Sequence, residues 1–466
     1  MPGAEYDKNT FSLNTSYKLN NAITLKYTGN FYFSKNLNAA NLNTMNGEGQ
    51  QANIGAYSAD INVGLLNSYM VTPDGYNYFA SPSRRNLISN GRQAVVGFLW
   101  DQLENKSEFT RMHNIQSLTA DIKLTKIFSA TVMGGMDYST ERNVYKGKLL
   151  DPELLGPNSG FMYSDMTNIY KNTYGQGMLN FNTKINSDFN LSGFAGGVIR
   201  KNNIEGKGAS VNGYGQLVIP NYFSFNNLPL GVQPQYQFVN GEDMLYSLLG
   251  SAQVSWRNQL FVEAQARQDW SSILPSNQNS YFYPGLSAAW ILSESLKLPA
   301  VIQYAKVRTS WADVGRPGPR YFSNVNYSTS QTGGGYVLTP PGDLPPMDAD
   351  GNPNLKPERK REYEIGFETY LFKNRRIGAD FSYYRSHIYN QIMAVAAPPG
   401  MGVKNVRMNA GEVSNKGWEL AIKTKPILTK DFEWDVNLTF ASGKTYVEKL
   451  DGKLESLTLW LSLIHI

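Results

Sequence analysis

The chain has 466 residues, 43 basic and 38 acidic side chains, three histidines and no cysteine, with 41% hydrophobic, 17% charged and 13% aromatic residues. Aromatics at this density exclude a disordered chain, and the missing cysteine excludes disulfide scaffolds, thiol catalysis and cysteine-ligated zinc. No apolar run reaches the roughly 18 residues that a membrane helix needs, and the net charge of +5 is scattered, without the basic stripe of a nucleic-acid binder.

From the amino end onward the dominant signal is alternation of apolar and polar residues. It marks about fourteen segments: 9–18, 22–34, 115–124, 128–140, 174–185, 190–200, 246–256, 260–270, 281–292, 303–312, 362–372, 376–390, 411–425 and 432–445. In the last of these Trp434, Val436, Leu438 and Phe440 alternate with Asp435, Asn437 and Thr439. Residues at i and i+2 share one face of a strand, so each segment has an apolar and a hydrophilic side. No amphipathic helix of comparable strength competes with these segments, although 55–70 has room for a short helical piece.

The connections alternate in length. Links at 19–21, 125–127, 186–189, 257–259, 293–302, 373–375 and 426–431 are short. The intervening ones, 35–114, 141–173, 201–245, 271–280, 313–361 and 391–410, are long. A soluble sandwich or propeller has no reason to gather every long loop at one end, whereas an outer-membrane barrel has short periplasmic turns and long extracellular loops. The expected fold is therefore all-β, a transmembrane antiparallel β-barrel. Its apolar face meets lipid, here Val436 and Leu438, and its Asn/Ser/Thr/Glu face, here Asn437 and Thr439, lines a wet lumen. Trp256, Trp270, Trp290, Trp311, Trp418 and Tyr389 lie near segment ends, where an interfacial girdle belongs.

Four stretches resemble the barrel of SusC/RagA-type TonB-dependent outer-membrane transporters. They are Asn352-Pro-Asn-Leu-Lys-Pro-Glu358 with Glu362-Tyr-Glu-Ile-Gly-Phe-Glu368; Arg267-Gln-Asp-Trp-Ser-Ser272 with Tyr283-Pro-Gly-Leu-Ser-Ala-Ala-Trp290 and Ser293-Glu294; Val307-Arg-Thr-Ser310 with Gly315; and Gly411-Glu-Val-Ser-Asn-Lys-Gly417 with Glu419. They occur in the family's order over about 267–422. The pattern departs at Trp311-Ala-Asp313, where the family has a Tyr-Gly pair, and at Trp270, where a small residue is usual. The resemblance implies TonB-dependent import of oligosaccharides or oligopeptides. The partners it implies are a SusD-like surface lipoprotein, the TonB complex, the outer-membrane lipids and an oligosaccharide or peptide ligand. It implies about 22 strands, so that 1–460 are expected to be a partial barrel lacking the plug and the first and last strands. Residues 461–466, Leu-Ser-Leu-Ile-His-Ile, read like a translated sequencing adapter and are expected to be a non-native tail. A passive porin or adhesion barrel without a plug is the alternative.

The remaining motifs carry little chemistry. Ser442-Gly-Lys-Thr445 lacks the first glycine of a phosphate loop, because Leu438 stands there within a strand. Asp348, Asp350 and Asn352 alternate like calcium ligands, but Pro353 and a missing spaced glutamate favour a solvated turn. His113, His387 and His465 make neither a zinc site nor a triad. Gly333–Tyr336 and the prolines at 340, 341, 345 and 346 suit a lid or a plain surface loop. Tyr76–Phe79 and Tyr222–Phe225 suit either ring stacking on a ligand or packing of loop on loop. No catalytic, cofactor-binding or metal-binding residue is expected, and the chain is not read as an enzyme.

Overall fold

The computed structural model describes residues 4–38, 71, 100, 103–148, 161–212, 217–219, 221–323, 328–332, 335–339, 349–350, 352–396, 405–449, 456–459 and 462–465. The strands are β1 (Glu5–Lys18), β2 (Ile23–Leu37), β3 (Lys106–Lys123), β4 (Phe128–Gly147), β5 (Met162–Lys184), β6 (Phe189–Asn212), β7 (Gln235–Trp256), β8 (Leu260–Ser271), β9 (Ser280–Ile291) and β10 (Ile302–Arg316). There follow β11 (Ser328–Thr332), β12 (Gly335–Thr339), β13 (Ala349–Asp350), β14 (Glu358–Leu371), β15 (Ile377–Tyr389), β16 (Ile392–Ala396), β17 (Asn405–Asn409), β18 (Glu412–Leu428), β19 (Glu433–Lys449), β20 (Ser456–Leu459) and β21 (Ser462–His465). Fourteen of them form one sheet in the order β1 to β10, then β14, β15, β18 and β19. Each pairs antiparallel with its neighbour, and among the described residues no ladder joins β1 to β19, so the sheet is an open wall, a partial barrel.

The alternating segments all lie in this sheet, but several strands run further than the alternation does. β5 has 23 residues and β6 has 24, twice the length a tilted strand needs to cross a bilayer. The expected long loops 141–173 and 201–245 therefore shrink to 148–161 and 213–234. In these extensions, such as Lys201-Asn-Asn203 and Glu205 to Lys207, both faces are polar. The sheet there rises into water, and one-sided periodicity has no cause to persist. The 313–361 and 391–410 connections likewise contain the β11–β12 hairpin and the small β13-β17-β16 sheet. The 55–70 segment, Tyr76–Phe79 and Asp348 lie outside the described residues.

Four of the seven short turns at the opposite end share one device, while those at 257–259 and 373–375 reverse through residues with positive φ. A side-chain oxygen of Asn20, Thr125 or Asn186 accepts the backbone N–H groups two and three residues onward, at 2.8–3.0 Å. Thr429 accepts the N–H of Phe432 at 3.0 Å in the same way. These Asx- and ST-type turns satisfy the backbone at those four reversals and fix register locally. Arg257 crosses to the neighbouring turn, where its bond to Asp188 at 3.1 Å raises the guanidinium pKa.

Register sorts the residues into two faces. Val307, Phe367, Phe381, Leu420 and Phe440 stand in one row across five strands, and Ala379, Ile422 and Leu438 stand in the row beside it. Leu118, Val132, Leu248, Leu286 and Ile365 on the same side are each more than half exposed, which suits contact with lipid and not with water. Trp256, Trp270, Trp290, Trp311 and Trp418 all lie on this apolar face near its edges. Tyr389 does not serve the girdle: its hydroxyl donates to Asp313 at 2.9 Å, above the apolar rows. Trp434, half exposed at the other edge, takes a girdle position that the alternation does not single out.

Candidate functional site

The site is the polar face, built from every second residue of adjacent strands. On β2, β3 and β4 the ion pairs are Lys26–Asp121 at 2.7 Å, Arg111–Glu141 at 3.0 Å and His113–Asp137 at 2.6 Å. The Tyr32 ring meets His113 edge-on at 5.1 Å and lies under the Arg111 guanidinium at 5.6 Å. His113, which the sequence presents only as a poor metal ligand, is held between an acid and an aromatic ring. His387 lies on the other side of the wall, 3.2 Å from Glu412.

The family-like motifs supply the next two clusters. Arg267 donates to Asp269 at 2.7 Å and to Ser247 at 2.9 Å, and the Tyr283 hydroxyl donates to the other oxygen of Asp269. Tyr281 and Tyr283 stack at 5.9 Å, and Asp269 is 3% exposed. The Arg-x-Asp run and the Tyr-Pro run, separated in sequence, therefore close on each other. Arg308 donates through Nη2 to Asp380 and to Ser382, each at 2.7 Å, and Glu364 lies 3.7 Å from its Nε. A hollow of about 230 Å³ beside it is lined by Gln253, Glu263, Ser287, Lys306, Arg308 and Glu364. This wall carries both signs of charge on fixed strands, so it can hold the polar groups of a ligand or of another domain without rearranging.

Above it, the segment after β10 folds back over β7. Arg320 reaches Asp243 at 2.7 Å, and Asn202 donates to the same carboxylate at 2.7 Å. Gly241 leaves room for this contact, since a Cβ there would stand 2.6 Å from Arg320 Nη1 and the guanidinium would have to shift. Sequence reasoning misses this clasp; Arg320 lies in a Gly-Pro stretch with no periodicity to flag it.

Several motif residues do structural work. Asn409 accepts the N–H of Lys356 and donates to the carbonyls of Lys356 and Asn390, all at 2.8 Å, while Leu355 is 1% exposed. Glu358 accepts the N–H of Ile392 at 2.8 Å. The Asn-Pro-Asn-Leu-Lys-Pro-Glu run thus pins two connections together at the head of β14. Asn352 accepts the N–H of Asn354 at 2.8 Å, so its oxygen closes a turn. Trp311, Asp313 and Trp270, where the family pattern is broken, all sit on the apolar side or its upward extension, away from the polar wall. Asp313 is 4% exposed and accepts from Arg359 at 2.8 Å and Arg361 at 3.0 Å. Of the aromatic loop residues, Phe223 and Phe225 pack on Tyr163, at 6.0 and 4.6 Å between ring centres, over buried Phe161, Val211 and Leu217. Tyr222 beside them is exposed.

The family model for the TonB dependent receptor-like β-barrel matches residues 49–456, and the chain belongs to this family. TonB-dependent receptor P3 of Formosa agariphila is 26% identical over 382 residues, covering 77% of this chain and 36% of that protein. TonB-dependent receptor SusC of Bacteroides thetaiotaomicron is 27% identical over 219 residues, covering 45% of this chain and 21% of that protein. The RagAB peptide importer in its open-open state superposes with a TM-score of 0.77 at 14% identity, over 99% of this chain and 49% of that one. The ferripyoverdine receptor of the Pseudomonas aeruginosa outer membrane superposes with a TM-score of 0.56 at 12% identity, over 97% and 51%. The SusC/RagA resemblance read from the motifs and the all-β barrel fold are both borne out, and the protein is placed in the outer membrane. The chain spans well under half the length of these curated relatives and about half of the solved structures.

Proposed function

We propose that this chain is part of the barrel of an active outer-membrane importer, driven through TonB, that takes up oligopeptides or oligosaccharides handed over by a SusD-like surface lipoprotein. The observation that carries the reading is the polar wall: Arg267–Asp269–Tyr283 and Arg308 with Asp380, Ser382 and Glu364 present fixed charges of both signs on the side facing away from lipid. The similarity to proteins named TonB-dependent receptor, and to a solved peptide importer, supports an energised import cycle and peptide cargo. The work is binding and gating, with no covalent step. On this reading strands outside the 466 residues complete the cylinder around a plug.

The test compares uptake of a mixed oligopeptide and oligosaccharide pool by cells that carry or lack the complete gene, with and without a protonophore. The proposal expects gene-dependent uptake that stops when the proton-motive force collapses. Gene-dependent uptake that survives the protonophore would establish the porin instead.

A further inference from the structure

The apolar side of the sheet ends in an unusual row. Arg385 on β15 lies directly opposite Lys416 on β18, and Lys416 directly opposite Lys444 on β19. All three are exposed. Like charges set directly opposite each other destabilise a sheet. Some other cations that rise above the apolar rows on this side are neutralised, Arg142 by Asp165 at 2.6 Å, Lys201 by Glu242 at 2.7 Å and Lys35 by Glu108 at 3.1 Å, whereas Lys106 and Lys146, directly opposite each other at the upper ends of β3 and β4, and Lys171 have no carboxylate partner among the described residues. Among the described residues no carboxylate pairs with Arg385, Lys416 or Lys444; Lys416 lies only over the Tyr446 ring, at 5.1 Å. The outward carboxylates further up these strands are engaged elsewhere, Glu412 beside His387 and Glu448 with Ser414.

The row also has a defined height. Lys444 stands ten residues beyond the girdle residue Trp434, roughly 26 Å along the membrane normal at about 3.4 Å per residue and a tilt of about 40°. The apolar band of such a wall is about 25 Å tall. Immediately below the row come Tyr383 and Trp418, then Phe381, Leu420 and Phe440. Three unpaired cations therefore sit at the level where headgroups meet acyl chains, above a strip made for acyl chains.

We propose that Arg385, Lys416 and Lys444 bind the phosphate groups of a phosphorylated lipid of the outer leaflet, whose chains lie down the Trp418–Leu420–Phe440 strip. The phosphates supply a counter-charge that the described strands do not, which accounts for three cations being tolerated side by side. The inference rests on the outer-membrane setting and is independent of the cargo.

The test uses the complete protein in an uncharged detergent, with monophosphoryl lipid A as probe and native mass spectrometry as readout. Each cation at an anionic surface contributes roughly fivefold in affinity, so R385Q/K416Q/K444Q should bind the lipid about a hundredfold more weakly than wild type. R142Q, whose arginine is already paired, should bind as wild type. Inorganic phosphate at equal concentration should not compete. Without lipid the triple variant should unfold at the same or a higher temperature, and added lipid should stabilise the wild type alone. Equal affinity in the triple variant, equal loss in R142Q, or full competition by inorganic phosphate would each overturn the proposal. Should the triple variant not fold, Lys416→Gln alone should lose about fivefold in affinity, and wild-type affinity in that variant would overturn the proposal equally.

Discussion

Leu438 sits on the apolar face of β19, opposite Ile422 and 46% exposed. It lies four residues beyond Trp434, roughly 10 Å up a band about 25 Å tall, close to the midplane. Arginine there puts a guanidinium in hydrocarbon at a cost of about 2–4 kcal/mol, which lowers the folding equilibrium by roughly 30- to 1000-fold. The comparison residue is Thr439, one step along on the polar face. It faces Ala421, whereas Asn437 faces Lys423 and would bring like charges together. Thr439→Arg should therefore cost under about 1 kcal/mol, since lumen charges stay hydrated. The assay is refolding of the complete protein into micelles under a urea series, read by heat-modifiable migration on gels. Equal loss from the two arginines, or a wild type that is monodisperse without detergent, would refute the assignment of faces.

Single cysteines are clean probes in a chain that has none: at Ser328 and Asn226 they should react with an impermeant thiol reagent on whole cells, and at Asn374 they should not, while the reverse pattern would invert the topology. Gly417→Ala should lower stability by about 1–3 kcal/mol in denaturant titration. Its Cβ would stand 2.6 Å from the Ser442 carbonyl and 2.5 Å from the Tyr384 hydroxyl, and an unchanged midpoint would show that the polar wall is looser than described. Arg308→Gln should leave a folded, heat-modifiable barrel while cutting cargo uptake several-fold, because it frees Asp380 and Glu364 on the wall; wild-type uptake would remove Arg308 from the transport path.

Strand identity is legible wherever one face meets lipid, because only there must every second residue be apolar. The alternation 434–440 and 377–383 predicts the right faces for that reason. It fades at Lys201-Asn-Asn203, where the same strand continues with water on both sides, so the strand reads as loop. Tyr389 looks like a girdle residue by composition, yet its hydroxyl serves Asp313 above the band. The polar wall is visible in the sequence as a face but not as clusters. Which lysine meets which aspartate depends on register between strands as distant in sequence as Arg308 and Asp380, 72 residues apart. The Asn409 clamp and the Arg320–Asp243 clasp come from connections without periodicity. Of these, only the motif resemblance around Asn352–Glu358 hints that anything there is fixed.

The two-faced wall is tested most directly by spin labels placed one at a time at residues 436 to 441 of the complete protein in bilayers, with collision rates measured against oxygen and against a water-soluble nickel chelate. The account predicts strict alternation, with oxygen dominating at Val436, Leu438 and Phe440 and the chelate at Asn437, Thr439 and Ala441. Rates that vary smoothly along the strand, or that favour the chelate at Leu438, would contradict it.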